Sequence, residues 1–223
     1  MNCVENFILY IAENLTLQLA LLYSPPMQPI PIESRALGTL AYIRSSIESS
    51  GSMAIPGMAG FVMGIIGTVA SVIASLPRGT SHWLSIWLVA AVVALAVGGA
   101  MMAREAAQSG HARYLGPVRK FLLCLGPALI AGATLTFVLW HAGTTGVIPG
   151  VWLLLYGCAV LSASTVTIPR TMRLICIMGA LFMVLGLLAF ASPPRFHTLI
   201  LGMGFGGLHT IFGILIGQVS HAD

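Results

Sequence analysis

The sequence predicts an all-α polytopic membrane protein, a bundle of six transmembrane helices preceded by an N-terminal amphipathic surface helix. Three observations carry this. The 223-residue chain is 57% hydrophobic and 7% charged, with a mean hydropathy of +0.96. A soluble domain carries about 25% charged residues, so this composition cannot build a water-facing surface. Six apolar runs, at 57–76, 83–103, 121–140, 148–166, 174–191 and 199–217, contain no Asp, Glu, Lys or Arg. Each suits the roughly 20-residue helix that crosses a bilayer. Gly, Ala, Ser or Thr interrupts every run, as expected of helices packed in lipid, and none shows the alternation of a transmembrane β-barrel.

Residues 1–32 precede this pattern. NFILYIAENLTLQLALLY is apolar but holds Glu13, Asn14 and Gln18 in its middle. As a span it would bury a carboxylate at a cost of about 2.5–3.5 kcal/mol. It lacks the basic n-region of a signal peptide, because no Lys or Arg precedes Arg35. The four prolines of SPPMQPIPIE then forbid a helix. The expectation is a poorly ordered or surface-lying extension, with Met27 as an alternative start.

A cytoplasmic amphipathic helix is expected within residues 33–52. Ser34 is an N-cap and Gly51 a C′ residue; Ala36, Leu37, Leu40, Ile43 and Ile47 share a face, with Arg44 and Glu48 as an i,i+4 pair on another. Residues 34–50 suit either the membrane surface or a protein partner.

Basic residues orient the six-helix domain, residues 53–219. Arg35, Arg44, Arg104, Arg113, Arg119, Lys120, Arg170 and Arg173 fall on one side, against Arg78 and Arg195 on the other. The bias places both termini in the cytoplasm. The net charge of +4 then reads as topology and headgroup contact. No basic cluster with interleaved aromatics points to nucleic acid.

The first and fourth spans open alike, IPGMAGFVMG and IPGVWLLLYG, each I-P-G, six residues, then Gly. If this marks a repeat, the halves are inverted in the membrane, as in many transporters. The other spans show no matching pair.

The last span carries the main chemical lead. At about 100° per residue, Gly202, Gly206, His209 and Gly213 fall within about 60° of one another, with Gly217 beside them. Glycines on one face admit a neighbouring helix, and Gly60 and Gly64 offer the same on the first span. The face suits a homo-oligomer equally well. His209 therefore points into a helix contact, where a buried imidazole must be hydrogen-bonded and neutral. Thr134, Thr136, Ser162, Ser164, Thr165 or a backbone carbonyl are the expected partners. The ring is either a polar clip between helices or part of a ligand or proton path, for which His209, Cys158 and Thr136 are the candidates. Haem ligation would require a second axial ligand from Met or another subunit.

Three outward loops hold one histidine each, His82, His141 and His197. They are candidate metal ligands, or interfacial residues beside Trp83 and Trp140. Cys124, Cys158 and Cys176 lie inside spans with no C-x-x-C and read as buried apolar thiols. There is no nucleophile elbow, H-E-x-x-H, P-loop or dinucleotide turn, and no carboxylate inside a span. The expectation is neither an enzyme nor an ion-coupled transporter, and no cofactor is implied.

YIRSSIESSGSMAIPGMAGFVMG, GPVRKFLLCLGPALIAGATLT, IPGVWLLLYG and GFGGLHTIFGILI together resemble a family of uncharacterised bacterial six-span integral membrane proteins, over about residues 36–217. The resemblance implies the bacterial inner membrane and transfers no functional residue. Two functions remain open. The favoured one is a regulatory or accessory membrane protein acting through a partner, for which residues 34–50 are the docking candidate. The other is a small-molecule or ion binding and permeation protein with an internal path near His209.

Overall fold

A computed structural model describes residues 55–76, 79–108 and 111–220, together with Thr16, residues 38–40 and Tyr42. The chain divides into two units, Met1–Ser45 and Ser46–Asp223. In the first, the described residues are helical and exposed. The extension 1–32 and the helix expected at 34–50 otherwise lie outside the described residues.

The second unit is helical: α1 (Gly57–Ala74), α2 (Thr80–Gln108), α3 (His111–His141), α4 (Ile148–Ser164) and α5 (Pro169–Ala191). The last span, α6, comes in three pieces: a short α-helix His197–Leu201, a π-helical segment Gly202–Leu208, and an α-helix His209–Ser220. Among the described residues six helices are long and apolar enough to cross a membrane. They agree with the six expected spans to within a few residues at most ends. The largest extensions are at α2 and α3, which run through much of the basic loop, to Gln108 and from His111.

Helix ends follow local chemistry. After α3, Gly143 adopts φ 71°, with Gly143 N–H donating to the Trp140 carbonyl at 3.1 Å and Thr144 N–H to that of Leu139 at 3.0 Å. This is a Schellman turn, and the left-handed φ favours glycine. Pro56 precedes α1 as its N-cap, whereas Pro149 lies inside the first turn of α4. Both positions tolerate a missing N–H.

Glycine decides which helices pack. On the α1–α6 contact a Cβ at Gly60 would stand 3.2 Å from Gly213 Cα, and one at Gly206 would stand 2.6 Å from Thr68 Oγ1. Gly57 meets the Gly217 backbone, Gly64 meets Thr210, and Gly67 meets Phe205. Gly202 meets Ser71, whose hydroxyl donates to the Thr198 carbonyl at 3.1 Å. The start of α1 therefore adjoins the end of α6.

A second seam joins α4 and α5. Leu154 and Leu161 fill the spaces left by Gly186 and Gly179, while Phe190 and Met183 fill those left by Gly150 and Gly157. Each pair is seven residues apart, the spacing that keeps one seam facing its partner. The two I-P-G starts thus use their glycines differently, Gly57 and Gly64 against α6 and Gly150 and Gly157 against α5. A three-plus-three symmetry would map the α1–α6 contact onto α4–α3; those helices do pack, but Gly150 and Gly157 face α5 instead of α3.

The helices assemble as two groups. α2 packs on α1 and α3 on α4, while α6 touches both α1 and α5; α2 and α3 barely meet.

Candidate functional site

At the core of the bundle His209 is 3% exposed. Its Nε2 lies 2.7 Å from the Tyr156 hydroxyl on α4. The partner is thus none of the serines or threonines the sequence offered. Tyr156 falls in VWLLLYG, where a tyrosine in an apolar run gives no signal of its own. Phe182 on α5 and Phe205 on α6 complete the surround, with ring centroids 5.3 and 6.1 Å from the imidazole. Phe205 in turn lies 6.4 Å from Trp87 of α2.

A π-helical segment, Gly202–Leu208, immediately precedes the His209 ring. Gly206 and Gly213 face α1, and Gly204 faces Leu153 and Phe182. His209 turns to Tyr156 of α4 and Phe182 of α5. Gly202, Gly206 and Gly213 thus form the expected glycine face, which meets α1, while the neighbouring His209 ring reaches α4 and α5.

Tyr156 and His209 line a cavity of about 560 Å³. Its wall comes from the start of α1, the later half of α2, α3 near Phe121, the later half of α4, the start of α5 and the end of α6. All belong to one end of the bundle. Met63, Met102, Phe121, Val160 and Met178 are typical of the lining, and among the described residues none of the lining besides Tyr156 and His209 carries a side-chain nitrogen or oxygen. Leu95 and Leu122, on the two helices that barely meet, line it while 52% and 59% exposed. The cavity thus opens sideways between α2 and α3.

The other expected site residues lie elsewhere. The Thr136 hydroxyl donates to the Gly132 carbonyl at 2.6 Å and accepts the Trp152 indole N–H at 2.7 Å. Trp152 stacks on Trp83 at 6.5 Å, and the Trp83 indole donates to Thr198 at 2.9 Å. Trp83 is thereby bonded within the bundle as well as placed near its end. Cys158 is exposed on the outside of α4, not a buried thiol, because its neighbour Gly157 takes the packing position; Cys124 and Cys176 are partly buried.

The three loop histidines do not come together. His197 is buried, with Nε2 3.1 Å from the Ala189 carbonyl and 3.2 Å from that of Ser192, at the end of α5. His141 packs edge-on against Phe137 at 4.4 Å, and His82 is exposed. Among the described residues no group of three or more His, Cys, Asp or Glu is placed to hold a metal ion.

Family models, curated proteins and solved structures contain no match to this chain. The site is therefore read from its own geometry.

Proposed function

We propose that this integral membrane protein binds a small, mostly apolar molecule in the cavity between α1, α2, α3 and α5, with the ligand's polar end at Tyr156 and His209. One observation carries the reading: a single polar pair stands in an otherwise apolar cavity. Binding sites for small molecules are typically apolar, of about 300–1,000 Å³, with few convergent polar groups. A π segment beside the pair fits the same reading, since such bulges are frequent at functional sites. Partner docking through residues 34–50 falls almost wholly outside the described residues.

The sideways opening suits a ligand that arrives from the lipid. With the exposed Arg104, Arg119, Lys120 and Arg173 at the same end of the bundle, we assign the cavity to the cytoplasmic half of a bacterial inner membrane. A reporter fused after Asp223 is then expected on the cytoplasmic side.

Gly99 lines the cavity with open space where its side chain would be. Gly99→Phe should fill the cavity without disturbing the helix contacts. Native mass spectrometry of the full chain, purified in mild detergent, should show a co-purifying apolar species that this variant lacks. Equal occupancy in both proteins, or none in either, refutes the proposal.

A further inference from the structure

We infer that the ligand presents a hydrogen-bond donor, an alcohol or amine on a long apolar body, to the Tyr156 hydroxyl oxygen. This rests on the cavity being a binding site and adds what the cavity selects.

What Tyr156 can offer a ligand is set by which ring nitrogen of His209 carries hydrogen. A neutral imidazole has one N–H donor and one lone-pair acceptor. Nε2 faces the Tyr156 hydroxyl at 2.7 Å. Nδ1 is buried, with no hydrogen-bonded partner. Of the two groups in this contact the phenol O–H is the stronger acid and the imidazole nitrogen the stronger base, so the shared hydrogen belongs to the phenol and Nε2 turns its lone pair to it. Nδ1 therefore carries the hydrogen.

Nε2 is then the acceptor, and Tyr156 must donate to it. A phenol has one hydrogen, so the remaining capacity of Tyr156 is acceptance alone. Nδ1 is sealed from the cavity, while Tyr156 is only partly buried and lines it. Among the described residues no other side-chain nitrogen or oxygen lines the cavity, so they offer the ligand one acceptor and no donor. A ketone, ether or carboxylate would bury its oxygen there unsatisfied, which disfavours it against an alcohol.

The test uses the full chain in mild detergent with three probes of equal chain length: a long-chain alcohol, its methyl ether and the corresponding methyl ketone. The alcohol should bind at least about tenfold more tightly than either analogue. Tyr156→Phe should bind all three within about twofold of one another. Wild-type preference for the ketone, or no preference, overturns the donor inference. If the probes bind without preference and Gly99→Phe blocks them, the cavity remains a binding site and only the donor inference falls. If no probe binds the wild type better than Gly99→Phe, the binding site itself is refuted. The wild-type ranking alone decides the donor question if Tyr156→Phe yields no folded protein.

Discussion

Gly157 and Gly179 face one another across the α4–α5 seam: a Cβ on Gly157 would lie 2.8 Å from the Gly179 carbonyl, and one on Gly179 would lie 3.0 Å from the Gly157 carbonyl. At each position a side-chain carbon is nearest, Met183 Cγ at 2.7 Å or Leu161 Cγ at 2.8 Å, and the facing backbone stands close behind it, so moving the side chain alone does not make room. Gly179→Val should therefore destabilise the bundle by about 1–3 kcal/mol, the usual cost of overpacking. Thermal unfolding in detergent measures this, and an unchanged midpoint would remove the seam as a source of stability.

Neighbouring glycines on α6 should behave oppositely. A Cβ at Gly206 meets the side chain and backbone of Thr68, with the amide nitrogen at 3.1 Å, whereas nothing lies within 4 Å of one at Gly207. Gly206→Val should lower the unfolding midpoint clearly. Gly207→Ala should stay within about 0.5 kcal/mol of wild type. Equal effects at the two positions would mean that α1 does not pack on the Gly206 face.

The Tyr156–His209 bond should contribute modestly to stability. Leaving a buried polar atom unpaired costs about 1–3 kcal/mol in a soluble core. In membranes such bonds average about 0.6 and reach about 1.7 kcal/mol, because the unfolded helices also find partners. The smaller range governs here, so Tyr156→Phe should cost about 0.6–1.7 kcal/mol. A double-mutant cycle with His209→Ala isolates the pair, and a coupling energy near zero would remove it. His209→Gln keeps hydrogen-bonding capacity without titration. Preserved stability and cellular phenotype in that variant are the expected outcome, and would exclude proton transfer through the ring.

His197 fastens the α5–α6 turn through the Ala189 and Ser192 carbonyls. His197→Ala should lower stability by about 0.5–1.5 kcal/mol, the net worth of a hydrogen bond. Metal content of the purified protein should be below about a tenth of an equivalent, since the three loop histidines do not form a binding group. A stoichiometric transition metal would contradict this placement.

The spans were legible because long apolar runs have one solution in lipid. Gly60, Gly64, Gly206 and Gly213 were legible as packing positions because a missing side chain is itself the signal. Gly150, Gly157, Gly179 and Gly186 carry the same signal at seven-residue spacing but pair across two helices, and no single-helix projection shows the match. Tyr156 was hidden for a different reason. Its significance depends on which helix faces His209, and the sequence of α6 does not name that helix. For Cys158 and Thr136 the sequence gives the span but not the side of the helix: Cys158 is exposed, and Thr136 bonds to Trp152.

The α1–α6 contact also fixes an order of events during synthesis. Ser71 and its partner Thr198 are 127 positions apart in the sequence. At about 5–20 residues per second, the ribosome needs about 6–25 s to travel between them. Throughout that interval the glycine row of α1 has no α6 to meet, while α4 and α5, adjacent in sequence, close as soon as both are made. The final span is the one that completes the cavity, so a ribosome that stops short of it leaves a membrane-inserted chain without a binding site.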